Sequence, residues 1–372
     1  MKVFILHSTA GEGHKKIAEA IEVELRKQSR IKNVQCFDAF ERVPKILSDS
    51  YPKTYFYAVR WVPKIWGFIY EFTDNPIIYS ILEPLRRVWN WAFSDNLRSY
   101  LTSENPDVIV STHFFAAQVV SEMRRKGLLR AKVITVITDV IPHSFWINPG
   151  TDLYWVMAAE SRKFLIERGI SENQIKDGGI PVNAHFLEKI DRTKIGYELG
   201  LVDQRLNLLF SSGSFGIGPT EEWLRELEMF GNKIQVMVVC GKNRHLYEKL
   251  SQKKFSYPII LMGFVDNMHE LMSVSDFLIA KPGGSTTCES LVKSLPILIT
   301  SPIPGQETRN AKWLLANQAA KNLRHKGDLK NVIHQYFSDP TLFEALKSNI
   351  AKIAKPEAAS LISRYISEIQ HG

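Results

Sequence analysis

Apolar and polar positions along the chain repeat on two periods, and the switches between them outline the fold. Residues 2–7 ("KVFILH") are a nearly continuous apolar run, which reads as a buried strand. Residues 14–27 follow with Ile17, Ile21 and Leu25 spaced by four, the signature of one helix face. Strands are predicted again at 34–38 ("VQCFD"), 107–112 ("DVIVST") and 132–138 ("KVITVIT"). The β-branched content of the last two suits parallel strands covered on both faces. Residues 152–169 read as strand then helix, closed by Gly169. The second half repeats the scheme, with strands at 206–212, 234–240, 259–264, 276–281 and 296–301 and helices at 220–230, 285–293 and 306–318.

Two successive β/α blocks predict two doubly wound α/β domains. A chain of 372 residues also exceeds one comfortable core. The polar "GIPVNAHFLEKID" stretch, 179–191, marks the junction, giving domains 1–183 and 184–345. Residues 346–372 form a C-terminal helical tail that Pro356 breaks or kinks. Cys36, Cys240 and Cys288 are scattered, which predicts reduced thiols of a cytosolic protein and neither a disulfide frame nor a zinc site. The five-residue apolar run near the start is too short for a signal peptide, and no membrane-spanning helix is expected. The net charge of +8 suits an anionic partner: nucleic acid, anionic lipid or a phosphorylated substrate.

Residues 51–93 break the alternation. They carry four of the eight tryptophans, Trp61, Trp66, Trp89 and Trp91, with Lys53, Arg60, Lys64, Arg86 and Arg87 interleaved. Aromatic rings mixed with cations are the composition of an interfacial membrane segment. The competing reading is a helical insertion that packs its rings into the first domain. No nucleic-acid motif accompanies the segment, so nucleic acid is not expected as a partner.

Four motifs carry chemistry. Gly11-Glu12-Gly13-His14 follows the first strand, where glycines let a ligand approach the backbone and a helix start offers N–H groups to an anion. His14 there is a candidate general base. "TDVIPHSFW" places Asp139 at a strand end, with His143 and Trp146 in the loop beyond. "SSGSFGIGP", 211–219, is a second Gly-rich strand-to-helix loop but not a Walker loop. "KPGGSTTCESLVKSLPILITSPIPGQETRNAKWL", 281–314, offers Ser285, Thr286 and Thr287 as helix caps, Glu289 as acceptor for a ribose diol, and Gln306, Glu307 and Asn310 for sugar hydroxyls. No Asp-x-Asp occurs, so a metal-bound diphosphate is not expected.

The order of Gly-Glu-Gly-His, Thr-Asp…His…Trp, Gly-Ile-Pro, "VCGKN" (239–243), "GFVDNM" (263–268), "KPGG" and "PGQE…NA" resembles the diacylglycerol glycosyltransferases, across residues 3–345. That family comprises monogalactosyldiacylglycerol synthases and processive diacylglycerol glucosyltransferases. The resemblance implies a GT-B fold, two Rossmann-like domains facing across a cleft. It implies a UDP-sugar in the second domain: Phe264 and Val265 at the uracil, Glu289 at the ribose, and Gly213, Ser214, Gly216 and Pro282, Gly283, Gly284, Ser285, Thr286 around the diphosphate. Cys240, Gly241 and Asn243 would lie nearby, with Gln306 and Glu307 on the sugar and Asn310 supporting them. Gly11, Gly13, His143, Trp146 and the four tryptophans of 51–93 would face the lipid acceptor and an anionic membrane surface. The tail would return to the first domain. The expected reaction is inverting, metal-independent hexosyl transfer to diacylglycerol or glycosyl-diacylglycerol, peripheral on the cytoplasmic face of the membrane, with no cofactor. His14 and Asp139 both stand as candidate bases. The alternatives are a peptidoglycan-type UDP-GlcNAc transferase on a polyprenyl-linked acceptor, a UDP-sugar 2-epimerase and a non-catalytic UDP-sugar sensor.

Overall fold

The computed structural model describes residues 1–8, 12–211, 213 and 218–369. The chain divides into two compact units. The first comprises Met1–Ala184, the short segment Ile303–Arg309 and the residues from Lys355 onward; the second comprises His185–Pro302 and Asn310–Ala354.

The first unit begins β1 (Lys2–His7), α1 (Glu12–Leu25) and β2 (Asn33–Asp38). A helical insertion follows: α2 (Lys45–Trp61), α3 (Pro63–Asp74), α4 (Pro76–Ala92) and α5 (Asp95–Glu104). Pro63 and Pro76 sit at helix starts, where their missing N–H is no loss, and Asn75 caps α4 by accepting from the Ile77 and Ile78 amides. Next come β3 (Val108–Ser111), α6 (Phe114–Arg125), β4 (Lys132–Val136), β5 (Leu153–Val156), α7 (Ala159–Glu167) and β6 (Ile175–Asp177). All six strands are parallel in the order β2-β1-β3-β4-β5-β6. The order reverses between β1 and β3, and such a switch point opens a crevice at the carboxyl ends of the strands. Phe4, Leu6, Ile109 and Val133 are fully buried, as expected for strands covered on both faces.

The second unit contains α8 (Arg192–Glu198), β7 (Leu206–Ser211), α9 (Thr220–Glu226), β8 (Ile234–Val239), α10 (Arg244–Ser251), β9 (Ile259–Met262), α11 (Met268–Val274), β10 (Phe277–Ala280), α12 (Gly284–Val292) and β11 (Ile297–Thr300). Beyond Arg309 it resumes within α13 (Gln306–Ala316), then β12 (Ala320–Leu323), α14 (Asp328–Ser338) and α15 (Thr341–Ile353). Its parallel sheet runs β12-β11-β10-β7-β8-β9, the dinucleotide-fold order, with its switch point between β7 and β10.

Helix α15 stops at Ile353, and α16 (Ala358–Glu368) restarts beyond Pro356, because the residue before a proline is pushed out of helical geometry. Ala358, Ile362 and Ile366 are buried as α16 packs on α1 in the first unit. The edge strands β6 and β12 carry no apolar run: "IKD" buries only Ile175, and "AKNL" only its two ends.

Candidate active site and donor loops

In the first unit the reactive side chains gather at the β1/β3 switch point. Helix α1 already begins at Glu12, so Gly13 and His14 lie in its first turn; Gly11 falls outside the described residues. His14 Nδ1 sits 2.7 Å from the Thr112 carbonyl at the end of β3 and 3.1 Å from Thr138 Oγ1 beyond β4. A carbonyl only accepts, so Nδ1 carries the proton and Nε2 keeps its lone pair. Burial pushes the imidazole down to about 4, leaving it neutral at physiological pH.

Asp139 lies one residue beyond Thr138, and the two candidate bases converge on Trp146. The indole Nε1 donates to Asp139 Oδ2 at 3.2 Å, and the Trp146 and His14 ring centroids are 6.4 Å apart. Burial lifts the Asp139 carboxyl to about 6, although the Trp146 hydrogen bond and the Arg309 charge pull it back. At neutral pH Asp139 is ionised and is a stronger base than His14.

The loop carrying Asp139 is fastened along its length. The Ser144 amide and hydroxyl both donate to Asp74 Oδ1 at 2.7 Å, and Arg168 Nε donates to Ser144 Oγ at 3.1 Å. His143 accepts from the Phe145 amide through Nδ1 at 3.0 Å and donates from Nε2 to the Tyr70 carbonyl at 2.9 Å. Two expectations are thereby corrected. His143 and Trp146 are buried, with ring nitrogens engaged inside the protein, so they shape the loop and do not face a lipid.

The segment Ile303–Arg309 belongs to the same unit and lies against α2 and α3. Gly305 has φ +97°, and a Cβ there would meet the Tyr70 ring at 2.6 Å, so only glycine fits. Gln306 Nε2 donates to the Tyr55 hydroxyl at 3.2 Å, while Glu307 Oε2 accepts from the Ile303 amide at 2.7 Å and closes its own loop. Arg309 reaches Asp74 Oδ2 at 2.7 Å, Glu71 Oε2 at 2.7 Å and the Pro142 carbonyl at 2.9 Å. Sequence reading missed Asp74, Tyr70 and Arg309; a lone arginine inside "GQETRNA" was the sole hint.

The insertion helices turn apolar side chains outward. On α3, Ile65, Phe68, Ile69 and Phe72 are exposed, Phe68 by 70%; on α4, Ile77, Ile81, Leu85, Val88 and Trp89 are exposed. Trp61 at the end of α2 is also exposed, with Lys53, Arg60 and Lys64 at the surface nearby in sequence. Trp66 and Trp91 depart from the expected set. Trp66 is half-buried edge-to-face on Tyr55, and Trp91 packs on the core under the Arg98 guanidinium at 3.7 Å and the Lys126 ammonium at 3.9 Å. Arg86 turns inward to the Phe145 carbonyl, and Arg87 pairs with Glu83. Among the described residues no helix is long and apolar enough to cross a membrane.

In the second unit the loops after β7 and β10 flank the switch point. Gly213 has φ +70°; Ser214 and Gly216 lie outside the described residues. After β10, Lys281-Pro282-Gly283 leads directly into α12. Gly283 is its N-cap and no side chain caps it, which corrects the expected Ser/Thr capping and leaves first-turn N–H groups for an anion. The Ser285 hydroxyl donates instead to buried Glu289 at 2.7 Å, orienting that carboxylate, and Thr286 is half-buried beside it. Buried Asn310 donates to the Pro282 carbonyl at 3.0 Å and braces the loop. At the end of β8, Cys240 is buried, its thiol pushed up to about 11. Gly241 turns with φ +59°, and Asn243 caps α10 by accepting from Leu246 N at 2.9 Å. Phe264 is exposed with the Lys242 ammonium 5.5 Å from its ring centroid, and Val265 beside it is half-buried. Among the described residues one trio has metal-ligand character: His185, Glu188 and His269, with ligand atoms within 4.8 Å of one another at the surface.

Two doubly wound units, each built on a six-stranded parallel sheet with a switch point, place the chain in the GT-B class. Its fold matches MurG of Acinetobacter baumannii (TM-score 0.63, 13% identity, 99% of each chain covered). It equally matches UDP-GlcNAc 2-epimerase of Neisseria meningitidis bound to UDP-GlcNAc (TM-score 0.63, 15% identity, 99% of this chain and 100% of that one). Residues 14–182 match the family described as monogalactosyldiacylglycerol (MGDG) synthase, and residues 218–364 the glycosyltransferase family 28 C-terminal domain. A processive diacylglycerol beta-glucosyltransferase of Bacillus thuringiensis (strain Al Hakam) is 28% identical, covering 100% of this chain and 94% of the relative. Over both units the chain is therefore similar to the diacylglycerol glycosyltransferases.

Proposed function

We propose that the protein transfers a hexose from a UDP-sugar to the hydroxyl of diacylglycerol or glycosyl-diacylglycerol, with inversion and no resident metal, on the cytoplasmic face of the membrane. The observation that carries this reading is the two-sided character of α3. Its inner face, Tyr70 and Asp74, is bonded to the loop of Asp139, while its outer face, Ile65, Phe68, Ile69 and Phe72, is apolar and exposed. A lipid surface met by the outer face would deliver an acceptor hydroxyl beside the basic carboxylate. The names of the full-length relatives support the same acceptor.

In this mechanism Asp139 takes the proton of the acceptor hydroxyl, and His14, neutral at physiological pH, stands beside it without competing for the proton. The oxygen attacks the anomeric carbon from the face opposite UDP, and the carbon–phosphate-oxygen bond breaks. The departing diphosphate gains charge where the uncapped N–H groups of α12 and the positive end of its dipole stabilise it. Glu289 holds the ribose hydroxyls. The absence of any Asp-x-Asp from the sequence supports a diphosphate met by amides.

The test is product mass after incubation with diacylglycerol vesicles and UDP-glucose, then UDP-galactose, then UDP-GlcNAc, each with and without chelator. The expected result is a glycosyl-diacylglycerol from a UDP-hexose, undiminished by chelation. Absence of glycolipid with all three donors refutes the acceptor, and loss on chelation refutes metal independence.

A further inference from the structure

We propose that Arg309 is a positioning residue for the transfer: with Asp74 it clamps the loop that presents Asp139 and ties it to the Gln306–Glu307 segment. The inference rests on the reading of Asp139 as base. It stands on the way the two carboxylate oxygens of buried Asp74 are divided. Oδ1 takes the Ser144 amide and hydroxyl, both in the Asp139 loop, and Oδ2 takes Arg309. The same guanidinium donates to the Pro142 carbonyl, three residues beyond Asp139, so it grips the loop directly as well as through Asp74. One turn back on α13, Gln306 meets Tyr55 of α2. A single arginine therefore fixes the spacing between the two segments assigned to base and sugar.

Stability alone does not account for this arrangement. Burying an ion pair costs desolvation that its Coulomb attraction roughly repays, so apolar packing would hold the segment as well. Asp74 also keeps Arg168, at 3.6 Å, as a second cation, and exposed Glu71 gives Arg309 a second carboxylate. Arg309 lies over the Tyr70 ring, 5.1 Å from its centroid, and its charge acts on Asp139. The groups facing Asp139 are Trp146 of its own loop, Tyr55 of α2, Tyr70 of α3 and Arg309, whose charge stabilises the carboxylate. Losing that cation while burial persists favours the protonated acid.

The experiment is the pH profile of kcat/KM for the full chain on diacylglycerol vesicles, using whichever UDP-hexose gives product, for wild type, Arg309→Gln, Arg309→Lys and Asp139→Asn. Arg309→Gln should lower kcat at least tenfold, leave the donor KM within about threefold, and move the acid limb to higher pH. Arg309→Lys should restore the limb, because the charge returns, but only part of kcat, because lysine has no fork for Pro142 and Asp74 together. A uniform loss of activity with the acid limb unmoved in Arg309→Gln overturns the inference, as does wild-type kcat. Should the glutamine variant melt before assay, the lysine variant decides alone: wild-type kcat overturns the clamp. Substantial turnover in Asp139→Asn sinks the base reading instead. An inactive Asp139→Asn beside an unmoved Arg309→Gln limb sinks this inference only.

Discussion

Replacing Asp139 with asparagine should stabilise the fold while destroying turnover. Burial lifts this carboxyl from 3.8 to about 6. A raised acid means that the folded state binds the proton more tightly than the unfolded chain. Stability is therefore greatest below the unfolded pKa, declines as pH rises from about 4 to about 6, and stays lower above. A difference of about two pH units at about 1.36 kcal/mol each sets the loss near 3 kcal/mol. Because Asp139 is half-buried and accepts from Trp146, about 1–3 kcal/mol is the range to expect. Asparagine keeps an oxygen for the Trp146 N–H but carries no charge. The assay is urea unfolding of both proteins from pH 3.5 to 8, with glycolipid formation measured on the same preparations. The asparagine variant should gain on wild type through the window from about 4 to about 6 and hold the gain above it. If the two unfolding curves keep a constant separation across that window, the carboxyl is not strained by burial and the mechanism loses its tuned base. If turnover survives above a hundredth of wild type, Asp139 is not the proton acceptor.

The remaining expectations concern the lipid face and the donor loop. Phe68→Ser should weaken binding to anionic diacylglycerol vesicles about tenfold, since a ring 70% exposed can transfer most of about 2–3 kcal/mol to lipid. Its melting temperature should stay within a degree or two, and unchanged vesicle co-sedimentation would count against membrane contact by α3. Trp91→Ser should do the reverse, lowering the melting temperature with little effect on vesicle binding, because that ring packs on the core under two cations. Glu289→Ala removes a buried carboxylate already aligned by Ser285, and UDP affinity in calorimetry should fall by more than tenfold. Wild-type affinity would remove Glu289 from the ribose.

What the sequence disclosed and what it withheld follow from solvent. The central strands were legible because burial on both faces forces continuous apolar runs, as in 107–112 and 132–138. The edge strands β6 and β12 were not, because half-solvated strands tolerate Lys176, Asp177, Lys321 and Asn322. In the insertion, composition announced the rings, but helix rotation decides which face outward. Trp61 and Trp89 do, Trp66 and Trp91 do not, and α4 adds the exposed aliphatic ladder Ile77, Ile81 and Leu85, which reads equally well as a core stripe. The clamp was hidden for another reason: Asp74, Ser144 and Arg309 are separated by 70 and 165 residues of chain (144 − 74 and 309 − 144), and no local pattern links them.

The histidines show how environment outranks residue type in assigning a base. His113 and His143 each precede a helical turn and each accept, through Nδ1, the amide two residues on, Phe115 N at 3.2 Å and Phe145 N at 3.0 Å. In both, "His-x-Phe" is a capping device, and burial holds both rings well down, His143 at about 4. His14, on α1, differs in making its Nδ1 contact with the Thr112 carbonyl just beyond β3, which leaves Nε2 as its acceptor, yet the same desolvation weakens it as a base. Desolvation acts oppositely on a carboxylate. The burial that takes basicity from His14 adds it to Asp139, and the Trp146 indole and the Arg309 charge keep that gain from protonating the acid outright at neutral pH. In the proposed mechanism one low-dielectric site thus holds a neutral imidazole beside an ionised carboxylate that takes the acceptor's proton, and the apolar outer face of α3 would preserve that dielectric when the helix meets lipid.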